Sequence, residues 1–143
     1  MDLTNIYLNN NSTQSTTFRR TTKYNNIKVE YDNKKFDSMS EYERYLELKE
    51  LEEQNIISNL RHHEKQDKIT LLEDPKISYE PDFYYEKDGI VIIEDVKGFE
   101  TDVFKIKKKM IISKIKKKEL NAVFITTKKS LNGFIVTFDS RNL

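Results

Sequence analysis

The dipeptide Asp88-Gly89 constrains this chain most, because it joins two stretches that must then lie side by side. Before it, residues 82–85 read Asp-Phe-Tyr-Tyr; after it, residues 90–97 read Ile-Val-Ile-Ile-Glu-Asp-Val-Lys. Aromatic and β-branched residues favour extended backbone, and Asp-Gly supplies the positive φ that a two-residue hairpin loop needs. The unbroken apolar run 90–93 predicts that the return strand is central in its sheet. Counting outward from the tip sets Asp82 against Asp95 across the ladder. Alternation turns Asp95 and Lys97 to one face and Glu94 and Val96 to the other. Two carboxylates and an amine are thus expected to converge at one end of a hairpin.

The flanking sequence predicts an α/β domain around that hairpin. Ile27, Val29 and Tyr31 alternate with Lys28 and Glu30 as a half-buried strand, and Asp32-Asn33 turns it back toward Lys35 and Phe36. Ser38-Met39-Ser40-Glu41 fits a capping box, and Tyr42, Tyr45, Leu48 and Leu51 form a helical stripe, so a first helix is expected over about 39–54. Residues 61–68 read as a loop, 69–72 as a short strand, and Ile77 and Tyr79 lead toward Pro81. Thr101 or Asp102 can cap a second helix ending near Lys118, with Val103, Phe104, Ile106, Met110, Ile111 and Ile115 as its apolar side. Residues 122–126 suit a strand covered on both faces, and Phe134, Val136 and Phe138 alternate after Asn132-Gly133. The second helix then serves as a crossover to a parallel strand, giving a mixed central sheet flanked by helices.

Length allows one domain of this kind and little more: the chain has 143 residues. Residues 1–24 are rich in Asn, Ser and Thr without amphipathic period and read as a flexible polar arm, which leaves 25–143 for the domain. With no Cys, disulfides, thiolate metal sites and cysteine nucleophiles are excluded. No apolar run exceeds four residues, against roughly 20 needed to cross a bilayer, so no membrane partner is expected. The start, Met-Asp-Leu-Thr-Asn, lacks the pattern of a secretory signal, and a cytoplasmic location is expected.

The expected cluster suits phosphodiester hydrolysis. Ionised carboxylates at the end of an apolar strand are costly unless a metal or a cationic partner meets them. Hard carboxylate oxygens suit Mg²⁺, which retains waters in its octahedral shell. Lys97 is placed to orient a water or to neutralise charge building on a phosphate. Net charge is only +1, but the lysines crowd one segment: Lys105, Lys107, Lys108, Lys109, Lys114, Lys116, Lys117 and Lys118 follow the cluster with almost no acidic relief. Such density favours phosphate contact by counterion release. Lys105 and Lys109, one turn apart, are the strongest candidates, and Arg19 and Arg20 offer a second set on the arm. The adjacent His62 and His63 read as surface residues, and Phe83, Tyr84 and Tyr85 as core packing.

Glu41, Pro81-Asp82 and Asp95-Val96-Lys97, in that order, resemble the PD-(D/E)XK nuclease superfamily. The phrases Lys28-Val29-Glu30-Tyr31, Phe36-Asp37-Ser38, Tyr45-Leu46-Glu47-Leu48, Pro81-Asp82-Phe83-Tyr84-Tyr85 and Glu94-Asp95-Val96-Lys97-Gly98 are similar to a phage-encoded branch of small endonucleases. That branch is associated with phage recombination or Holliday-junction processing, and the TnsA-like nicking subunits of transposases are similar in motif. The resemblance covers about residues 23–127. It implies a restriction-endonuclease-like fold and a Mg²⁺-dependent endonuclease, with Mn²⁺ able to substitute. Asp82, Asp95 and the Val96 carbonyl would be metal ligands, Lys97 the catalytic amine, and Glu41 a further ligand in competition with its capping role. The implied substrate is branched or recombining DNA, cut by a homodimer whose two sites are related by a two-fold axis. An endonuclease acting on ordinary duplex and a catalytically silent DNA-binding module are the alternatives. The implied location is the host cytoplasm if the chain is phage-encoded.

Overall fold

The computed structural model describes residues 16–20, 27–31 and 33–143, with side chains from Lys28 onward. The chain divides into two units, residues 1–43 and 44–143.

In the first unit, β1 (Thr16–Arg20), β2 (Ile27–Tyr31) and β3 (Lys34–Phe36) form an antiparallel sheet in that order. The β2–β3 turn carries Asn33 at φ 59, a left-handed conformation that Asn tolerates well. Thr16–Arg20 falls inside the stretch expected as an arm, yet it pairs with β2 along its whole length, Thr16 opposite Tyr31 and Arg20 opposite Ile27. The expected boundary at 24/25 lies outside the described residues. Val29, Phe36 and Tyr42 are buried, and the Phe36 and Tyr42 rings meet edge-on at 5.3 Å.

Helix α1 (Met39–Glu53) begins in this unit and continues into the next. Its start is the expected cap in modified form. The Glu41 N–H donates to Ser38 Oγ at 3.1 Å, while Glu41 Oε2 accepts from the Asp37 N–H at 3.3 Å. The glutamate therefore reaches one residue further back than in a standard capping box.

The second unit is built on a five-stranded mixed sheet of order β10-β9-β8-β7-β4. Its strands are β4 (Ser58–His62), β7 (Phe83–Lys87), β8 (Ile90–Val96), β9 (Val123–Ser130) and β10 (Gly133–Asp139). Strand β8 is central, antiparallel to β7 and parallel to β9, with α2 (Asp102–Lys116) as the crossover. The chain thus has the expected mixed α/β architecture. Asp88 (φ 51) and Gly89 (φ 76) close the β7–β8 hairpin, with Lys87 opposite Ile90. A separate antiparallel pair, β5 (Ile69–Glu73) and β6 (Lys76–Tyr79), adjoins the crossover helix.

Two boundaries depart from the expected pattern. Part of the loop expected over 61–68 is the end of β4, which pairs with β7. As a bulged edge strand reading Ser-Asn-Leu-Arg-His, β4 buries only His62, so its sequence shows no alternation. Strand β9 runs past residue 126 to Ser130 because Thr127, Lys128 and Lys129 continue the ladder with β10.

One face of the sheet is closed by α2 and the β5–β6 pair. Leu71, Tyr79, Ile93, Phe104, Ile111 and Phe124 form its buried cluster. Helix α2 starts at Thr101, whose hydroxyl accepts from the Phe104 N–H at 3.1 Å. The stripe Phe104, Lys108, Ile111, Ile115 has helical spacing, so those side chains lie toward the sheet. Val103 and Ile106, expected on the apolar side, fall off this stripe and are 64% and 59% exposed.

Candidate active site

The hairpin register places the predicted residues. Phe83 lies opposite Glu94, so Asp82, one step before β7, lies opposite Asp95, as counting from Asp88-Gly89 predicts. The two aspartates are tied to each other's strand. The Asp82 N–H donates to Asp95 Oδ1 at 3.0 Å, and Asp82 Oδ2 accepts from the Val96 N–H at 2.9 Å. Each carboxylate is therefore oriented by one oxygen on the backbone and turns its second oxygen toward a side-chain nitrogen.

For Asp95 that nitrogen is Lys97 Nζ, 3.2 Å from Oδ2. Lys97 also lies over the Phe104 ring at 4.7 Å, and its own N–H donates to the Thr127 carbonyl at 2.8 Å, which prolongs β8–β9 pairing past Val96. Asp95 is 1% exposed. Burial pushes its carboxyl above the ordinary range, and the Lys97 charge and the Asp82 N–H oppose this without cancelling it. The hydroxyl of Tyr79, at the end of β6, is raised well above its ordinary value by burial and by the neighbouring Asp95 charge.

For Asp82 the nitrogen is His63 Nε2, 3.3 Å from Oδ1. His63 follows β4 directly, and its N–H donates to the Asp82 carbonyl at 3.2 Å. Nδ1 of the same ring lies 3.5 Å from Glu80 Oε1. The histidines expected at the surface are thus placed otherwise. His62 is buried between the Tyr45 and Phe83 rings, and His63 stands beside Asp82. Sequence reading missed them because adjacent histidines resemble no metal-ligand spacing, and their placement depends on β4 pairing with β7.

Glu94 faces away from Asp95, as alternation predicts, but into a second polar cluster. It is wholly buried, accepts two bonds from the Arg44 guanidinium at 2.6 and 2.9 Å, and accepts further bonds from the Tyr85 hydroxyl at 2.7 Å and the Thr127 hydroxyl at 2.8 Å. Burial presses Arg44 toward neutrality, yet the Glu94 hydrogen bond and charge hold its pKa above the ordinary value. Burial, together with the Glu94 charge, raises Tyr85 in turn. The strand that presents Asp95 on one face is thus anchored to α1 through the other.

Glu41 belongs to the first unit, where it is 3% exposed and serves the α1 cap. Among the candidate nucleic-acid contacts, Lys105 and Lys109 are exposed and Lys107 is half-buried. Lys108 differs: it pairs with Glu100 at 2.8 Å and lies over the Phe138 ring at 4.3 Å. Its place on the inward stripe explains this. The side chains of Arg19 and Arg20 lie outside the described residues.

The donor set fits a hard divalent cation. Asp82 and Asp95 offer carboxylate oxygens whose partner oxygens are held by main-chain amides, the outer support that fixes metal ligands. A cation there would also meet the charge of Asp95, which Lys97 compensates only partly. A family model described as "Protein of unknown function (DUF1064)" matches residues 21–132. No curated protein and no solved structure matches the chain.

Proposed function

The chain belongs to this DUF1064 family, and from the geometry of its site we propose that it is a divalent-metal-dependent DNA endonuclease of the PD-(D/E)XK type. The observation that carries the reading is the reciprocal tie of Asp82 and Asp95 across the hairpin, with Lys97 on the second oxygen of Asp95. Asp82, Asp95 and the Val96 carbonyl would hold Mg²⁺, with Mn²⁺ as a substitute. Glu41 takes the third acidic role from motif order. When bound, the cation supplies Lewis acidity, activating a water and drawing charge from the phosphate oxygens. Lys97 orients that water and offsets the negative charge gathering on the scissile phosphate. The exposed Lys105 and Lys109 support a polyanionic substrate, and no helix among the described residues is long and apolar enough to cross a membrane. The proposed substrate is branched DNA, handled by a homodimer in the cytoplasm.

The test is cleavage of a four-way junction and a matched linear duplex by purified protein with Mg²⁺. We expect junction cleavage to dominate, Lys97→Ala to lower it roughly 10²–10³-fold, and Asp82→Asn to abolish it while DNA binding persists. Equal cleavage of both substrates identifies a duplex endonuclease. Tight binding without cleavage in Mg²⁺ or Mn²⁺ identifies a silent binding module. Glu41→Gln separates its two roles, because Gln also serves in a capping box: unchanged unfolding with lost cleavage is the expected result.

A further inference from the structure

We propose that His63 is a nitrogen ligand of the cation at this site, so that the site binds Mn²⁺ in preference to Mg²⁺. The inference rests on the metal-dependent reading above and adds a residue outside the acidic motif. Three independent features of the second unit carry it.

The first is position. His63 Nε2 lies 3.3 Å from Asp82 Oδ1, the oxygen not engaged by the Val96 amide. Adjacent donors in an octahedral shell with bonds of about 2.1 Å are about 3.0 Å apart, so the two atoms are spaced as neighbouring ligands of one ion. The second is orientation. The other ring nitrogen, Nδ1, faces the Glu80 carboxylate at 3.5 Å. Metal-bound imidazoles are held in this way, one nitrogen on a carboxylate and the other presented to the metal. The third is the backbone. His63 has φ 46, in the left-handed region that Asn, Asp and His enter more readily than other side chains, at the point where β4 ends. This turn ends the strand, and the His63 N–H bond to the Asp82 carbonyl holds the residue beside Asp82.

The preference follows from donor chemistry. Mg²⁺ takes oxygen ligands and gives up water reluctantly. Imidazole raises affinity along the transition series, while the carboxylates keep the site suitable for Mn²⁺.

The experiment is electron-spin-echo spectroscopy of Mn²⁺ bound to the full chain, paired with calorimetric titration of Mn²⁺ and Mg²⁺. The variants are His63→Asn, His62→Gln and Asp82→Asn. Asn is chosen at 63 because it tolerates positive φ without supplying an imidazole nitrogen, and circular dichroism verifies the fold. We expect ¹⁴N modulation in wild type and in His62→Gln and its loss in His63→Asn. Mn²⁺ affinity should fall roughly 10–100-fold in His63→Asn, with Mg²⁺ affinity changing far less. Mn²⁺ bound in an Asp82-dependent manner without ¹⁴N modulation, or with modulation that survives His63→Asn, overturns the histidine ligand and leaves the nuclease reading standing. Mn²⁺ binding that is absent, or indifferent to Asp82→Asn, overturns both.

Discussion

At the scale of single residues, two buried carboxylates on adjacent positions of one strand have been given opposite environments. Glu94 is met by Arg44, Tyr85 and Thr127, whereas Asp95 is met by Lys97, the Tyr79 hydroxyl and the Asp82 N–H, which together leave its carboxyl raised by burial. Arg44→Ala leaves Glu94 buried without its cation and is expected to cost about 3–5 kcal/mol in urea unfolding. Replacing both partners with apolar residues should cost less. Asp95→Asn is expected to act in the other direction. The folded state holds the Asp95 carboxyl above its ordinary value of 3.8, so the stability that comes with protonation is complete below that value and is lost as pH rises through the folded pKa. Asn stays neutral throughout. In EDTA at pH 7 the variant should therefore be more stable by about 0.5–2 kcal/mol, the difference shrinking as pH falls. A variant less stable than wild type at pH 7 would show that Asp95 is stabilising without a metal.

At the scale of elements, α2 combines a structural face with a charged one. Phe104, Lys108, Ile111 and Ile115 share the inward stripe, while Lys105 and Lys109 lie exposed. Each phosphate contact contributes about 0.9 to the slope of log affinity against log salt. Lys105→Ala and Lys109→Ala should each reduce that slope by about 1 in DNA-binding titrations across NaCl concentrations. Lys108→Ala should leave the slope nearly unchanged and lower the unfolding temperature instead, because its ammonium is engaged by Glu100 and the Phe138 ring. Equal slope changes for all three lysines would mean that Lys108 leaves Glu100 to meet the phosphates. One-turn spacing sets Lys105 and Lys109 apart in the sequence, but the engagement of Lys108 by Glu100 and Phe138 belongs to the fold, since charge density carries no information about which side of a helix faces its sheet.

At the scale of the whole molecule, a cation that binds only the folded chain must stabilise it by mass action. At a hundred times the dissociation constant the gain is about 2.7 kcal/mol, roughly 5–10 °C in unfolding temperature. Mg²⁺ or Mn²⁺ should produce such a shift in calorimetry of the wild type and none in Asp82→Asn. A shift that survives the substitution would put the cation elsewhere. How much of this was legible beforehand depends on the range of the interaction. The Asp88-Gly89 hairpin, the Asp82–Asp95 pairing, the orientation of Lys97 with Asp95, the Thr101 cap and the parallel crossover all follow from local rules of turn chemistry and periodicity, and the sequence alone determined them. Only the tertiary structure decided that β4 pairs with β7 to bring His63 to Asp82, that Tyr79 stands beside Asp95, and that Arg44 neutralises Glu94 from 50 residues away. Those contacts join segments whose spacing along the chain encodes nothing about their meeting. An edge strand such as β4, with one face and few apolar residues to bury, leaves no alternation in its sequence to announce it.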